Sequence, residues 1–335
     1  MSAERGNGGE DCVRCTRLAP SPTGALHLGN ARTFLVNWAM ARRRGWRIVL
    51  RIEDLDTPRV KAGVLDLTVD LLAWLGMDWD VGPLIQSRDL EPYRSAMRTL
   101  AARGMTYPSA ANRGVVGAAG SDDGASAPQQ GSHEAHFGRE NRPSQLPREF
   151  DGTRGSCDGL AEAPAWRFAT PDSEVAFDDA FAGPQRWTPS ATVGDFIIWT
   201  KRNQPAYQLA VVVDDHAQGV TDVVRGDDLL DSAARQLMLY RALGFAPEPR
   251  YWHVPLVVGE DGRRLAKRHG DTRLDVYRAR GVRCERVIGL VAYWCGVISE
   301  RREMSAAEFR DGLNVVSIPH DPITFRREDD QWLLD

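Results

Sequence analysis

Arg17-Leu18-Ala19-Pro20-Ser21-Pro22-Thr23-Gly24-Ala25-Leu26-His27-Leu28-Gly29-Asn30 joins two segments of different periodicity. Upstream, residues 13–19 (VRCTRLA) read as a strand; downstream, residues 28–43 carry apolar side chains at helical spacing. A strand, a turn rich in Gly and Pro, and a helix place that turn beyond the carboxyl end of a strand in an open α/β sheet. Ligands bind there, and a helix N-terminus offers unpaired N–H groups and partial positive charge to a phosphate. Gly24 and Gly29 let the backbone come close to a ligand, and His27 can donate a hydrogen bond to phosphate oxygens as charge grows during displacement at an α-phosphorus. By itself the same stretch also reads as a Gly/Pro turn with a capping histidine.

Working outward, residues 47–53 (RIVLRIE) read as a second strand, and Thr57-Pro58 as the N-cap and first residue of a second helix. The amphipathic segment 91–104 (EPYRSAMRTLAARG) ends on Gly104, where a C-terminal cap belongs. This βαβα order implies a parallel sheet, and residues 13–108 read as the first half of a Rossmann-type α/β nucleotide-binding layer. Residues 1–12 read as a flexible tail. Residues 109–195 read as an inserted subdomain, within which 110–163 are rich in Gly, Ser and Pro without periodicity and read as a flexible low-complexity stretch. The runs AWRFATPDSEVAFDDAF, DFIIWTKR, AYQLAVVVDDH and TDVVRG, rich in Val, Ile and Tyr, indicate further sheet, with 196–258 as the second half of the layer. A helix over 229–243, a strand WHVPLVV, a turn at Glu260-Asp261-Gly262 and helices around 283–295 and 306–313 complete the reading; 259–335 form a basic loop and a helical C-terminal region.

Composition limits the function classes. The 335 residues include 42 Lys+Arg against 46 Asp+Glu, a net charge of -4, which excludes a basic tail protein; 42% hydrophobic and 26% charged residues suit a globular chain of about two domains. No run approaches the ~18 apolar residues of a membrane helix, and MSAERGNGGED lacks a secretory apolar region, so a cytoplasmic protein without membrane contacts is expected. Five cysteines at 12, 15, 157, 284 and 295 are too irregular for a disulfide framework. Cys12 and Cys15 form a C-x-x-C pair in the expected tail, with no second pair of ligands at zinc-like spacing.

Two further groups carry chemistry. Arg264-Leu265-Ala266-Lys267-Arg268 puts three cations within five residues, which favours a nearby anion; Lys267 is the natural phosphate clamp, an exposed basic turn being the bland alternative. Arg17, Glu53, Tyr207 and Arg225 each fall near the end of an expected strand. Two arginines recognise carboxylates in planar, bidentate fashion and one Glu accepts from an ammonium, so the set suits an amino acid. Asp54 and Asp56 leave a metal-binding acidic cluster or an N-cap region open as readings of the segment around Glu53.

Residues 17–30 resemble the signature of class I aminoacyl-tRNA synthetases of the glutamyl branch, with His27-Leu28-Gly29-Asn30 standing for the HIGH motif. R-I-E-D-L-D-T-P-R (51–59) is similar to the branch's strand carrying the substrate-binding acid. A-Y-Q-L-A-V-V-V-D-D-H-A-Q-G-V-T-D-V-V-R-G-D-D-L-L (206–230) is close to diagnostic of it, and R-L-A-K-R (264–268) takes the place of KMSKS. The resemblance covers about residues 14–108 and 164–275. It implies a Rossmann-type catalytic core in which Arg17, Leu18, Ala19, Pro20, Ser21 and Glu53 hold L-glutamate, Glu53 taking the ammonium. Arg225 pairs with the side-chain carboxylate, aided by the Tyr207 hydroxyl; His27, Gly29, Asn30 and Lys267 face ATP, and His27 and Lys267 are the catalytic pair, with Mg2+ as the accompanying ion.

Only 67 residues follow Arg268, where the glutamyl branch carries a large helical anticodon-binding region. That length resembles the paralogous branch made of the catalytic core alone, which implies glutamate transfer to the queuosine base at the wobble position of tRNA(Asp) by a monomer. The alternatives are a truncated enzyme that charges tRNA(Glu), a non-catalytic RNA-binding paralogue, and a small ligase or cytidylyltransferase of the same superfold. Two departures stand out. Where the family has a C-x-C zinc pair after a Tyr, this chain has Tyr107-Pro108-Ser109-Ala110-Ala111-Asn112-Arg113, so zinc is not expected, Cys157, His133 and His136 being the remaining candidate ligands. Ala266 replaces a common Ser, while Lys267 is kept. Arg42-Arg43-Arg44, Lys201-Arg202 and Arg301-Arg302 are the candidate RNA-facing cations.

Overall fold

The computed structural model describes residues 13–22, 26–55, 63–109, 136–151, 164–263, 265 and 271–335. Strands β1 (Cys15–Leu18), β2 (Arg47–Ile52) and β3 (Val81–Ile85) alternate with helices α1 (Leu28–Arg43), α2 (Val64–Trp74) and α3 (Glu91–Ala102), and the strands pair in parallel. The expected helix start at Thr57-Pro58 lies outside the described residues. Next come β4 (Thr106–Ser109), β5 (Ala165–Phe168), the hairpin of β6 (Val175–Asp179) and β7 (Gly183–Trp187), the short α4 (Pro189–Thr192) and β8 (Ile197–Trp199). Strands β4, β5 and β8 pair antiparallel.

The chain returns to the parallel layer through α5 (Tyr207–Ala217), β9 (Asp222–Gly226), α6 (Leu230–Leu243) and β10 (Arg250–Val254), with β9 and β10 parallel. The Thr221 N–H donates to the Cys15 carbonyl at 2.8 Å, which lays β9 along β1. After β11 (Val257–Val258) follow α7 (Leu274–Ala279), α8 (Cys284–Trp294), α9 (Ala306–Gly312), β12 (Ile323–Thr324) and α10 (Arg327–Leu334); β12 pairs in parallel with β11. No helix among the described residues is long and apolar enough to cross a membrane.

Alternation along the strands decides what each face of the sheet presents. Leu18, Ile48, Leu50, Ile52, Val224, Trp252 and Val254 join one core with α1, α2 and α8. Cys15, Val49, Val223 and Tyr251 join the other, with α3, α5 and α6. Arg17, Arg51, Glu53, Arg225 and His253 share the parity of this second set, so one face of the sheet carries all five toward its carboxyl ends.

Four expectations need correction. AYQLAVVVDDH is helix α5, not sheet, and Tyr207 opens that helix rather than ending a strand. Every residue from Tyr207 to Asp215 is buried, and an apolar run buried on all sides has no periodicity to separate helix from strand; tertiary packing then overrides the Val preference for sheet. WHVPLVV is split at Pro255, which has no N–H for a ladder, into β10 and β11. Cys15, grouped with Cys12 in the tail although it also falls in the expected first strand, is the fully buried first residue of β1. Within the stretch read as flexible, residues 136–151 are docked: the Phe137 N–H donates to the Val193 carbonyl at 3.0 Å, and Phe150 meets Trp166 and Trp199 edge-on at 5.1 Å each.

Candidate active site

Helix α1 begins at the signature stretch, and His27 is its N-cap. The ring Nδ1 accepts from the Gly29 N–H at 3.1 Å and the Asn30 N–H at 3.4 Å, while the Asn30 side chain accepts from the His27 N–H at 3.1 Å. A nitrogen that accepts carries no proton, so the ring's proton in the neutral form sits on Nε2. Capping and phosphate-facing roles are therefore compatible: one nitrogen satisfies the helix, the other is the donor. At Gly29 a Cβ would stand 3.0 Å from His27 Cε1, so its absence makes room for the ring. Asn30 is likewise occupied in the capping box. Residues 26–28 pair with 272–274, the Leu28 N–H donating to the Thr272 carbonyl at 3.1 Å and the Leu274 N–H to the Leu26 carbonyl at 2.8 Å. The signature is thereby joined to the segment just after the basic loop. Gly24, Arg264 and the catalytic candidate Lys267 lie outside the described residues.

On the sheet face, Arg51 is fully buried and contacts Asp215 at 2.7 Å, Glu53 at 3.0 Å and Asp214 at 3.7 Å. Arg17 lies 3.4 Å from Asp215. Two guanidinium groups thus face three carboxylates. Burial pushes the Glu53 carboxyl above its ordinary range, against the pull of Arg51 and Arg17; burial likewise raises Asp214, against Arg51, Gln86 and Tyr93. Glu53 is held to the signature loop as well, its N–H donating to the Pro20 carbonyl at 3.0 Å. Burial raises the Tyr207 hydroxyl, and the charges of Arg225, Glu53, Arg17 and Asp215 also act on it. Arg17 and Glu53 thus share the cluster built on Arg51 and Asp215, and Arg225 lies on β9 on the same face of the sheet, while Tyr207 is buried at the start of α5. Leu18 is not with them; its side chain joins the opposite core. Ala19 and Ser21 are half-buried in the loop beside Pro20.

Arg225 differs from the other two arginines. Its Nε–H donates to His253 Nε2 at 2.9 Å, one N–H of Nη1 to Gln236 Oε1 at 2.8 Å, and one of Nη2 to the Leu229 carbonyl at 3.1 Å. Only 5% of the residue is exposed, and no carboxylate among the described residues forms an ion pair with it. Three of its five N–H groups go to acceptors without negative charge and two remain. A buried cation held only by neutral acceptors favours an anion beside it. The site is thus polar along its length, rich in carboxylates around Glu53 and cationic at Arg225.

Sequence reading missed Arg51, Asp214, Asp215, Gln236 and His253. Strand parity carries the signal for Arg51 and His253, each two residues from a core position of the same face; Asp214 and Asp215 were hidden by the reading of α5 as sheet. Among the described residues no group of three His, Cys, Asp or Glu side chains is placed to hold a metal ion. At the family's zinc position the Tyr107 hydroxyl donates to Asp195 at 2.6 Å instead, and His136 Nε2 lies 3.1 Å from the Ser190 carbonyl; Cys157 and His133 lie outside the described residues. Of the candidate RNA-facing cations, Arg42 is paired with Asp78 and Asp80 and Arg301 with Asp329, while Arg44 packs over Trp46 and Trp252.

Residues 13–318 match the family model described as tRNA synthetases class I (E and Q), catalytic domain. A glutamyl-Q tRNA(Asp) synthetase of Symbiobacterium thermophilum is 42% identical over 322 residues, covering 94% of this chain and 96% of that protein. A glutamate--tRNA ligase 2 of Halorhodospira halophila is 36% identical, covering 95% of this chain and 64% of that protein. Among solved structures, a glutamate tRNA ligase from Elizabethkingia meningosepticum shares the fold with a TM-score of 0.73 at 23% identity, over 96% of this chain and 68% of that one. With the signature at the head of α1, the parallel layer behind it and the match across both, the chain belongs to the class I tRNA synthetases of the E and Q group.

Proposed function

We propose that this chain activates L-glutamate with ATP to glutamyl-adenylate and transfers the glutamyl group to the queuosine base at the wobble position of tRNA(Asp), acting as a cytoplasmic monomer. The observation that carries the substrate assignment is Arg225, a buried guanidinium with two N–H groups left over and, among the described residues, hydrogen bonds only to neutral partners. It takes the side-chain carboxylate of glutamate in bidentate fashion. The ammonium sits toward Glu53, where three carboxylates face two arginines. Tyr207, buried at the start of α5, is assigned the supporting hydroxyl. The choice of acceptor rests on the near-complete mutual coverage with the glutamyl-Q tRNA(Asp) synthetase of Symbiobacterium thermophilum, 94% and 96%.

In the first step a carboxylate oxygen of glutamate attacks the α-phosphorus of ATP in line and pyrophosphate leaves with the bonding pair. His27 Nε2–H donates to the phosphate oxygens, whose charge grows as the bond breaks, and Lys267 supplies a cation to the leaving group. No covalent enzyme intermediate is needed. In the second step a hydroxyl oxygen of the modified base attacks the acyl carbon, AMP leaves, and the hydroxyl proton goes to solvent or to the departing phosphate. Mg2+, when bound with the nucleotide, would supply charge neutralisation at the phosphates; among the described residues no three-ligand cluster would hold it. Zinc does not fit the residues at positions 107–109, and no step uses it.

The second reading, charging of tRNA(Glu), is favoured by the 36% identity to the Halorhodospira halophila ligase. Pyrophosphate exchange tests the activation step. Glutamate-dependent exchange without tRNA, lost on Arg225→Gln, supports the assignment; no exchange with any tRNA present would point to a non-catalytic RNA-binding paralogue.

A further inference from the structure

The neutral partner of Arg225 is itself held in place. His253 is buried on β10, the strand next to β9, and its Nδ1 lies 2.6 Å from Asp179 Oδ2. Arginine only donates, so Nε2 must be the accepting nitrogen; the ring proton is then on Nδ1 and is donated to Asp179. Asp179 is fixed in turn. Its Oδ1 accepts from the Phe181 and Ala182 N–H groups at 2.9 and 2.7 Å, in the turn that closes the β6–β7 hairpin. That hairpin is joined to β10 by the Ala180 N–H, which donates to the Tyr251 carbonyl at 2.8 Å. Below the guanidinium, the Tyr251 ring lies 5.2 Å from Arg225 Cζ and is nearly parallel to the His253 ring, at 14°.

We infer that Asp179 and His253 are positioning residues for recognition of the substrate's side-chain carboxylate. The inference rests on the glutamate reading of Arg225 given above. Asp179 fixes the tautomer of His253, His253 fixes the Nε edge of Arg225, and Gln236 and Leu229 fix one N–H on each of the other two nitrogens. The remaining two N–H groups are left in one orientation. An imidazole suits this place better than a carboxylate does: a Glu or Asp at residue 253 would orient the guanidinium equally well, yet would neutralise the charge that the substrate must meet. The charge sits one bond further away, on Asp179, in a hairpin outside the parallel layer.

The test uses the full chain and pyrophosphate exchange, with KM for glutamate, KM for ATP and kcat measured separately for His253→Leu, His253→Gln and Asp179→Asn, and with glutamine as a competing amino acid. Loss of one hydrogen bond to a charged group predicts a rise of about 10- to 100-fold in the glutamate KM of His253→Leu. Its ATP KM stays within about twofold, and its preference for glutamate over glutamine falls in step. His253→Gln, whose amide oxygen can still accept, recovers most of the loss. If His253→Leu does not fold, Asp179→Asn, which keeps an acceptor for Nδ1–H, gives the same split at smaller size. An unchanged glutamate KM in a folded variant, or glutamate and ATP KM values rising together, overturns the inference. If instead Arg225→Gln leaves the glutamate KM unchanged, the underlying reading of Arg225 is what fails.

Discussion

The Gly29 N–H donates to His27 Nδ1 at 3.1 Å, and the ring that accepts it occupies the space where a side chain on residue 29 would begin. A Cβ there would stand 3.0 Å from Cε1 and 3.1 Å from Nδ1, so Gly29→Ala displaces the imidazole by a few tenths of an ångström or turns it off the cap. Because Nε2 moves with the ring, kcat for pyrophosphate exchange should fall by about 10- to 100-fold while the glutamate KM holds. A rise in glutamate KM with kcat intact would place His27 elsewhere in the chemistry.

Arg225→Lys keeps the charge but loses the planar pair of donors and the contacts to His253 and Gln236. Truncating one partner of a buried, hydrogen-bonded charge pair costs about 2–5 kcal/mol, so the glutamate KM should rise on the order of 100-fold or more. Steady-state exchange kinetics check this, with the ATP KM as the internal control.

Burial raises the carboxyl groups of Glu53 and Asp214 in the cluster where three carboxylates face Arg17 and Arg51. An arriving ammonium favours their ionised forms, so glutamate binding should release protons, and affinity should strengthen as pH rises through the range just above ordinary carboxylate values. Calorimetry at mildly acidic pH, in two buffers of different ionisation enthalpy, measures the sign. Proton uptake would contradict the placement of the ammonium.

His253 has its pKa lowered from 6.5 to about 4, chiefly by burial and with Arg225 adding, against the pull of Asp179. The unfolded chain therefore binds a proton at residue 253 before the folded one does, and stability falls as pH drops from about 6.5 toward 4, by at most about 3 kcal/mol from this group. Asp179, whose pKa is lowered to about 2 by His253 and the Phe181 and Ala182 N–H groups although burial alone would raise it, adds loss in the same direction at still lower pH. Urea titrations between pH 7 and about 4 should show the decline, and His253→Gln should flatten its upper part.

Asp195 ties residues 136–151 to the antiparallel strands. It accepts from the Tyr107 hydroxyl, from Arg142 and from the Thr170 N–H at 2.9 Å. Asp195→Ala strands those donors, two of them buried, and should cost about 3 kcal/mol in denaturant titration. Since residues 107–113 carry no cysteine, a strong chelator should leave the melting temperature of the wild-type chain unchanged. A drop on chelation would reveal a metal.

Much of the parallel layer was legible because its strands and helices carry their own punctuation. His27 caps α1, Gly104 closes the turn after α3, and the β1, β2 and β9 runs have the parity of strands buried on both faces. The site was legible where residue chemistry was unusual for its place: an arginine, a glutamate and a tyrosine among apolar residues. What stayed hidden depended on long-range pairing. Arg51 looks like an ordinary strand charge until Asp214 and Asp215 arrive from a helix some 160 residues later, whose Val-rich sequence reads as sheet. His253 gains its meaning only from Arg225 on the neighbouring strand and Asp179 in the inserted hairpin. The docking of residues 136–151 depends on Asp195 and on Trp166 and Trp199, none of which leaves a local mark in a Gly- and Ser-rich stretch.

The most direct test of the central claim is transfer of radiolabelled glutamate by the purified chain to tRNA(Asp) with queuosine, tRNA(Asp) without it, and tRNA(Glu). The account predicts label on the queuosine-bearing tRNA(Asp) alone, stable to removal of the 3′-terminal adenosine. Label on tRNA(Glu), lost with that adenosine, would contradict it.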